Sequence, residues 1–459
     1  MTSFVFGSRS RRAAALGLLG ACAAMAQATY AVAQQMMMSD QYSGGSVVSD
    51  AGGGCMNCDG GTPCSYGYGD YQCYGDCEGC TPDDGGQCDS CCEQQRSCSG
   101  WFNAEYLRWR LDGNRLPALV TAGPSTTPLN QVARLDDPDT VVLNDHRVND
   151  DWRNGYRLSG GFWLDCCHSC GVGVDYFDIG NDDYNFTSPQ DPSIITGRPF
   201  FNTQTGEDDV QLISVPNELE GTAHVRSTDN LEGAGLTFNK CLWSCCNPCC
   251  GVSEGISAIG GYRFYRYDTN LSITENLTVL PGTTTPLVPG TTFYVQDSFR
   301  TRNDFNGGEF GLQGYKLRKW WWLDGMAKVG LGQVVRTVTV NGTTVINVPG
   351  GGTDTEAGGL LTSSFTNIGE YRDTVFTVIP EFRLGIGAKV TECCSVRCGY
   401  NCIIWDDVAR AADHLPPGLA VDPDNIPPAT GGGPDPAFPG IHGGTLVAHG
   451  IDASVQFQW

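Results

Sequence analysis

Charge is scarce in this 459-residue chain, and positive charge is scarcest. Charged residues make up 17%, with 28 Lys and Arg against 51 Asp and Glu. The net charge of −23 excludes electrostatically driven nucleic-acid binding, which needs a basic surface to neutralise phosphates. Long apolar runs are also missing. Beyond the N-terminus no stretch of about 18 apolar residues occurs, which excludes a bundle of membrane-spanning helices. Histidine is sparse, with six residues scattered along the chain. No HExxH segment occurs, and the Gly runs at 52–54 and 350–352 lack the setting of a phosphate loop. No catalytic residue, metal or cofactor is assigned, and the chain reads as a non-enzyme.

What is abundant is glycine, with 61 residues, and cysteine, with 23. So many thiols fit poorly with a reducing cytosol unless they bind metal. The N-terminus points to export. Arg9, Arg11 and Arg12 form a basic segment, residues 13–26 an apolar small-residue segment, and Ala26-Gln27-Ala28 and Ala31-Val32-Ala33 two small-x-small sites. This is the pattern of a secretory signal peptide, with cleavage after Ala33 preferred. A rival lies in Leu19-Gly20-Ala21-Cys22, which resembles a lipobox that would lipidate Cys22. Losing the signal removes three arginines and takes the net charge to about −26.

Three zones follow. Residues 34–54 are Met-, Ser- and Gly-rich and read as a flexible linker. Residues 55–100 form a Cys-rich arm with almost no aliphatic residues, which cannot bury a core and would need staples to be ordered. From Trp101 to Trp459 aromatics, glycine and period-two alternation take over. In 373–391, Phe376, Val378, Phe382, Leu384, Ile386 and Val390 oppose Thr377, Glu381, Arg383 and Lys389. In 447–459, Val447, Ile451, Ala453, Val455, Phe457 and Trp459 oppose Asp452, Ser454, Gln456 and Gln458. Period two means strands with one apolar and one polar face. A soluble sandwich gives the same alternation.

Strand and connection lengths discriminate. Ten strands are expected near 101–111, 155–165, 171–180, 230–242, 253–268, 304–318, 320–337, 373–391, 395–407 and 445–459. Most are longer than the usual strand of about 5–6 residues and reach the roughly 9–11 that a tilted membrane strand needs. Short and long connections alternate, as in an outer-membrane barrel. The expected fold is all-β: an antiparallel transmembrane up-and-down β-barrel of about ten strands, preceded by a largely irregular Cys-rich arm. Segments 270–299 and 335–347 are also β-prone. They are read as hairpins extending above the membrane, or as two further strands that would make twelve.

The cysteines cluster. Cys55, Cys58, Cys64, Cys73, Cys77, Cys80, Cys88, Cys91, Cys92 and Cys98 lie in the arm. Cys166, Cys167 and Cys170, then Cys241, Cys245, Cys246, Cys249 and Cys250, then Cys393, Cys394 and Cys398 gather at three expected short turns, with Cys402 one step up the ninth strand. The expected topology places all of them on or near the periplasmic side. CxxC spacing would suggest zinc in a reducing compartment, whereas in an exported protein disulfides are the default. The thiols either fold the arm onto its own barrel or link it to a second copy or to other Cys-rich envelope proteins. The remaining expected partner is outer-membrane lipid.

The run WFNAEYLRW (Trp101–Trp109), RPFFNTQTGEDDVQLISVP (Arg198–Pro216), GYRFYRYD (Gly261–Asp268), FRTRNDFNGGEFGLQ (Phe299–Gln313), VIPEF (Val378–Phe382) and GYNCIIW (Gly399–Trp405) occur in order. Together they resemble a family of planctomycete outer-membrane β-barrel proteins. The resemblance implies a porin-like, membrane-embedded barrel without assigned catalytic residues.

Arg157, Asp324, Lys328, Glu381, Arg383, Lys389 and Arg397 take lumen parity in the expected register. They form either a charged constriction that selects solutes or a salt-bridge network filling a narrow barrel. Ten strands enclose little more than the eight-stranded barrels that side chains fill, which favours the network. His224 with Asp208 and Asp209, and His414 with Asp413, read as solvated loop residues rather than a rim site. His168 reads as a turn residue rather than a metal ligand. The acidic runs 181–183 and 207–209 read as loop solvation rather than cation sites. The functional expectation is a structural or porin-like outer-membrane barrel stabilised or crosslinked by periplasmic-side disulfides. The alternatives are a small-solute diffusion channel and a secreted β-sandwich with a Cys-rich module.

Overall fold

The computed structural model describes residues 100–459 except 145, 166–167, 248–251, 285 and 392. The signal segment, the linker and the ten-Cys arm lie outside the described residues. Ten antiparallel strands build a closed ring: β1 (Gly100–Leu111), β2 (Arg153–Trp163), β3 (Cys170–Asp178), β4 (Leu219–Asn247), β5 (Val252–Val279), β6 (Thr292–Arg318), β7 (Trp321–Val348), β8 (Gly369–Lys389), β9 (Cys394–Val408) and β10 (Gly444–Gln458). Each strand pairs with its sequence neighbours, and β10 pairs with β1 from Trp101↔Gln458 to Leu111↔Ala448. The last residue completes the seam, since Gly100 N–H donates to Trp459 O at 3.0 Å and Trp459 N–H to Gly100 O at 3.1 Å. A ring has no edge strand, so every ladder group finds a partner where water is excluded.

The alternation in the sequence becomes inside and outside. Exposed apolar side chains point outward, among them Phe102, Phe162, Phe457 and Trp459 toward the short-turn end. Tyr106, Tyr156, Tyr176, Tyr262 and Tyr400 follow further along the strands. Apolar bands flanked by aromatics are the lipid-facing surface of an outer-membrane barrel. A soluble sandwich would bury this face, so that alternative is set aside.

Four strands are far longer than a membrane requires. β4 to β7 have 29, 28, 27 and 28 residues and project beyond the ring at the long-loop end. Segments 270–299 and 335–347 belong to this projection, so the barrel has ten strands and not twelve. Short strands Asp182–Thr187 and Gly352–Ala357 extend the projecting sheet on either side, pairing with β4 and β7.

The long connections are not solvated loops. They fold against the inner face of the projection into a cap with its own sheet. Ile194–Asn202 pairs with Glu207–Ser214 and with Thr121–Pro124, and Ala420–Val421 adds in parallel. Leu116, Val120, Phe200, Ile213, Leu415 and Val421 from the connections pack on Val225, Leu271, Ile273, Phe299 and Val338 of the projecting strands. Alternation along β4 to β7 continues past the membrane because the cap needs an apolar inner face just as the bilayer needs an apolar outer one.

Candidate functional site: the barrel lumen and its thiol-bearing rim

The inward residues of the ten strands meet in two layers. One is apolar and aromatic: Leu107, Trp109, Phe177, Tyr265, Phe305, Ile379, Ile403 and Trp405 are all at most 2% exposed. Tyr265 lies 5.9 Å from Phe177, 5.9 Å from Phe305 and 6.0 Å from Trp405 between ring centroids. Tilted contacts at this distance are the preferred geometry for aromatic pairs. These side chains from six different strands fill the cross-section.

The other layer is ionic. Arg157 bonds Glu105 at 3.3 Å, and Arg383 bonds the same carboxylate at 2.9 Å. Arg397 bridges Asp324 at 2.8 Å and Asp452 at 2.6 Å. Lys328 bridges Glu309 at 3.0 Å and Glu381 at 3.1 Å. Arg263 joins Asp175 at 2.7 Å to Glu309 at 2.8 Å. Tyr265 O–H donates to Glu381 at 2.8 Å, tying the two layers together. Arg157 also sits 5.5 Å from the Trp109 ring and 5.2 Å from Phe177, within cation–π reach. Each cation faces at least one carboxylate, as buried charge requires.

Six of the seven charges assigned to the lumen from the sequence thus meet in this network. Lys389 does not: it is exposed at the short-turn end of β8, because the lumen opens to water where the strand ends. Sequence reasoning missed Glu105, Asp175, Glu309 and Asp452, which supply most of the counter-charge, and the cation Arg263. Their inward parity is the signal that marks them. Asp452 appears on the polar side of the last strand, and Arg263 and Glu309 lie inside motifs read only as family markers.

A second charged centre pins the cap. Arg198, 1% exposed, contacts Glu275 at 2.6 Å and Asp297 at 2.7 Å. Asp297 also accepts from Leu361 N–H and Thr362 O–H. One guanidinium therefore joins connection 179–218 to β5 and β6, and Asp297 carries the link to connection 349–368. Burial pushes the Glu275 carboxyl above its ordinary value, with Arg198 opposing. The acidic runs are also engaged. Asp182 and Asp183 pair with Arg153 and Arg226, and Glu207 lies 3.7 Å from Arg134.

The histidines divide. His224 is exposed and contacts Thr187 at 3.0 Å. His168 stacks on Trp163 at 4.9 Å. His414 departs from the expectation of a solvated loop residue: it is 1% exposed and stacks on Phe438 at 6.1 Å. Its Nδ1 lies 2.7 Å from Arg410 O, and its Nε2 accepts the His442 N–H at 3.3 Å. Among the described residues no group of three His, Cys, Asp or Glu is placed to hold a metal.

The thiols end at different places. Cys170, Cys393 and Cys394 lie at the short-turn end, and Cys241 and Cys245 there are disulfide-bonded. The side chains of Cys166, Cys167, Cys246, Cys249 and Cys250 lie outside the described residues, as do the ten of the arm. Cys398 is exposed on the outer face of β9 between Val396 and Tyr400. Cys402 does not sit near the turns. It pairs with Phe382 and His449, about 26 Å of strand from Cys394 at roughly 3.3 Å per residue. Its parity puts it on the outer face, far along the barrel wall.

A family model for beta barrel porin-7 (BBP7) matches residues 101–459. The chain belongs to this family. The matched span is the ring and its cap, and it leaves out the arm that carries ten of the thiols. Among curated proteins none matches this BBP7 sequence. Solved structures with similar folds include the outer membrane protease OmpT from Escherichia coli, 11% identical, with 80% of this chain and 99% of that chain covered and a TM-score of 0.36. A Pseudomonas aeruginosa FadL homologue is 9% identical over 79% of this chain and 90% of its own, with a TM-score of 0.19. At these scores neither likeness carries an argument about activity.

Proposed function

We propose that this BBP7 protein is a sealed structural barrel of the outer membrane, and neither an open diffusion channel nor an enzyme. The observation that carries the reading is the filled lumen, where the aromatic layer spans the cross-section above an ion-paired layer. A solute would have to displace aromatic-layer side chains that are at most 2% exposed. The cap pinned by Arg198 covers the long-loop end as well.

In this reading the signal segment delivers the chain to the periplasm, the long-loop end faces outward, and the arm that precedes β1 belongs to the periplasmic side. The arm and the turn cysteines then share one oxidising compartment, where disulfides persist. The disulfide state of Cys241 and Cys245 supports oxidised thiols there, and the exposed Cys393 is available to a neighbour. The barrel anchors a thiol-rich arm that links copies of the chain, or other Cys-rich proteins, into the envelope.

Two measurements test this. Purified barrel in a planar bilayer is expected to show no conductance steps, and regular steps would restore the diffusion-channel reading. Non-reducing gels of native membranes are expected to show high-mass species that reductant collapses to monomer. Monomer alone under both conditions would remove the crosslinking role and leave the sealed barrel standing.

A further inference from the structure

Lys240 does not belong to the lumen network. It lies opposite Cys170 across the β3–β4 ladder and opposite Ala258 across the β4–β5 ladder. That register puts it on the outward face with the exposed Phe238, near the short-turn end. The ion-paired lysines among the described residues are Lys316 and Lys328. Lys240 instead rests its ammonium 3.2 Å from Cys170 Sγ. The nearby Asp165 carboxylate already accepts the amides of Ser169 and Cys170.

Beside this cation the barrel wall is indented. Ala258 and Gly260 form the floor of a cavity of about 430 Å³ whose walls include Leu164 and Phe238. A Cβ added at Gly260 would meet nothing nearer than 3.9 Å. Packing within the barrel therefore leaves the space outside this glycine open. An apolar trough at membrane depth, headed by a cation that makes no direct ion pair among the described residues and feels the Asp165 carboxylate only at longer range, has the form of a phospholipid: a chain on the floor and a phosphate at the head.

We infer that this trough holds an anionic phospholipid of the leaflet at the short-turn end, with one acyl chain over Ala258 and Gly260 and its phosphodiester on Lys240. A lysine is a compact point charge on a flexible stem that reaches interfacial phosphate while its methylenes stay in the apolar layer. A zwitterionic headgroup carries its own ammonium, which competes with Lys240 for the phosphate, so the anionic lipid is preferred.

The inference rests on the membrane reading above. Folded protein in detergent is offered phosphatidylglycerol and phosphatidylethanolamine in equal amounts, and retained lipid is read by native mass spectrometry. Wild type is expected to favour phosphatidylglycerol about fivefold, the discrimination of one interfacial lysine. Lys240→Gln should abolish the preference, and Gly260→Leu should lower retention of both lipids by filling the trough. Equal phosphatidylglycerol retention by wild type and Lys240→Gln would overturn the inference. So would retention untouched by Gly260→Leu, or a Gly260→Leu effect on dimer alone, which would assign the trough to a second copy. Heat-modifiable gel migration is checked for each protein. Its absence in wild type would count against the barrel itself, whereas its presence with no lipid preference would count against this site alone.

Discussion

Glycine is where the lumen is decided residue by residue. A Cβ on Gly233 would lie 2.5 Å from a Phe177 ring atom and 2.6 Å from one of Tyr265. Both rings are fully packed and cannot swing away. Gly233→Ala is expected to lower unfolding stability by about 1–3 kcal/mol, the usual cost of overpacking, measured by denaturant titration with heat-modifiable migration as the readout. Gly385 makes a contrast. Its added Cβ would meet the Arg397 guanidinium, which is held by Asp324 and Asp452 instead of by ring packing. Among the charges, Glu105 holds two arginines. Glu105→Ala would leave Arg157 and Arg383 without this partner, and a loss of about 3–5 kcal/mol is expected in the same titration. If Glu105→Ala matched wild type, the network would not contribute to holding the lumen.

The cap is the element whose behaviour should depend on pH. Burial holds the His414 imidazole below its ordinary value of 6.5. The groups around it are Arg410, Asp413 and His442 on its own connection and Arg336 from β7. Arg410 O and the His442 N–H bind the two ring nitrogens of the neutral form. As pH falls through 6.5, the released connection takes up a proton that the folded imidazole resists. The stability that the neutral ring contributes is therefore full above pH 6.5 and is lost as acid rises below it. Hydrogen exchange corrected for intrinsic rates should show amides of 409–421 opening faster at pH 5.5 than at 7.5. The Ala411 N–H, held by Thr269, is one to follow. A His414→Gln protein should lose most of that dependence, and an unchanged dependence would remove His414 as its source.

For the molecule as a whole, closure is the central fact. β10 pairs with both β9 and β1, so removing 444–459 opens two ladders at once. A chain lacking that segment is expected to give no heat-modifiable species. A chain beginning at residue 100 should still give one, because the described residues from Gly100 onward already pair into a closed ring. A folded product from the first deletion would mean that the ring closes another way.

The ten strands and their inward and outward faces were legible in the sequence because period two is a local property. Each residue needs only its neighbours two positions away to reveal its side. The alternation of short and long connections was equally visible, and the family motifs lay in order along the ring. Parity alone put Arg157, Asp324, Lys328, Glu381, Arg383 and Arg397 on one side of their strands. The tertiary structure decided what parity cannot express. Glu105 and Arg383 are 278 residues apart in sequence and meet because closure of the ring leaves only β9 and β10 between β8 and β1. Loop-like segments rich in polar and turn residues became a cap because Arg198 finds Glu275 and Asp297 on strands from a distant hairpin. Cys402 left the thiol-bearing end because strand length carried it up the wall. Which faces exist depends on the chain's local pattern. Which residues share an interior depends on closure, and that is a property of all ten strands together.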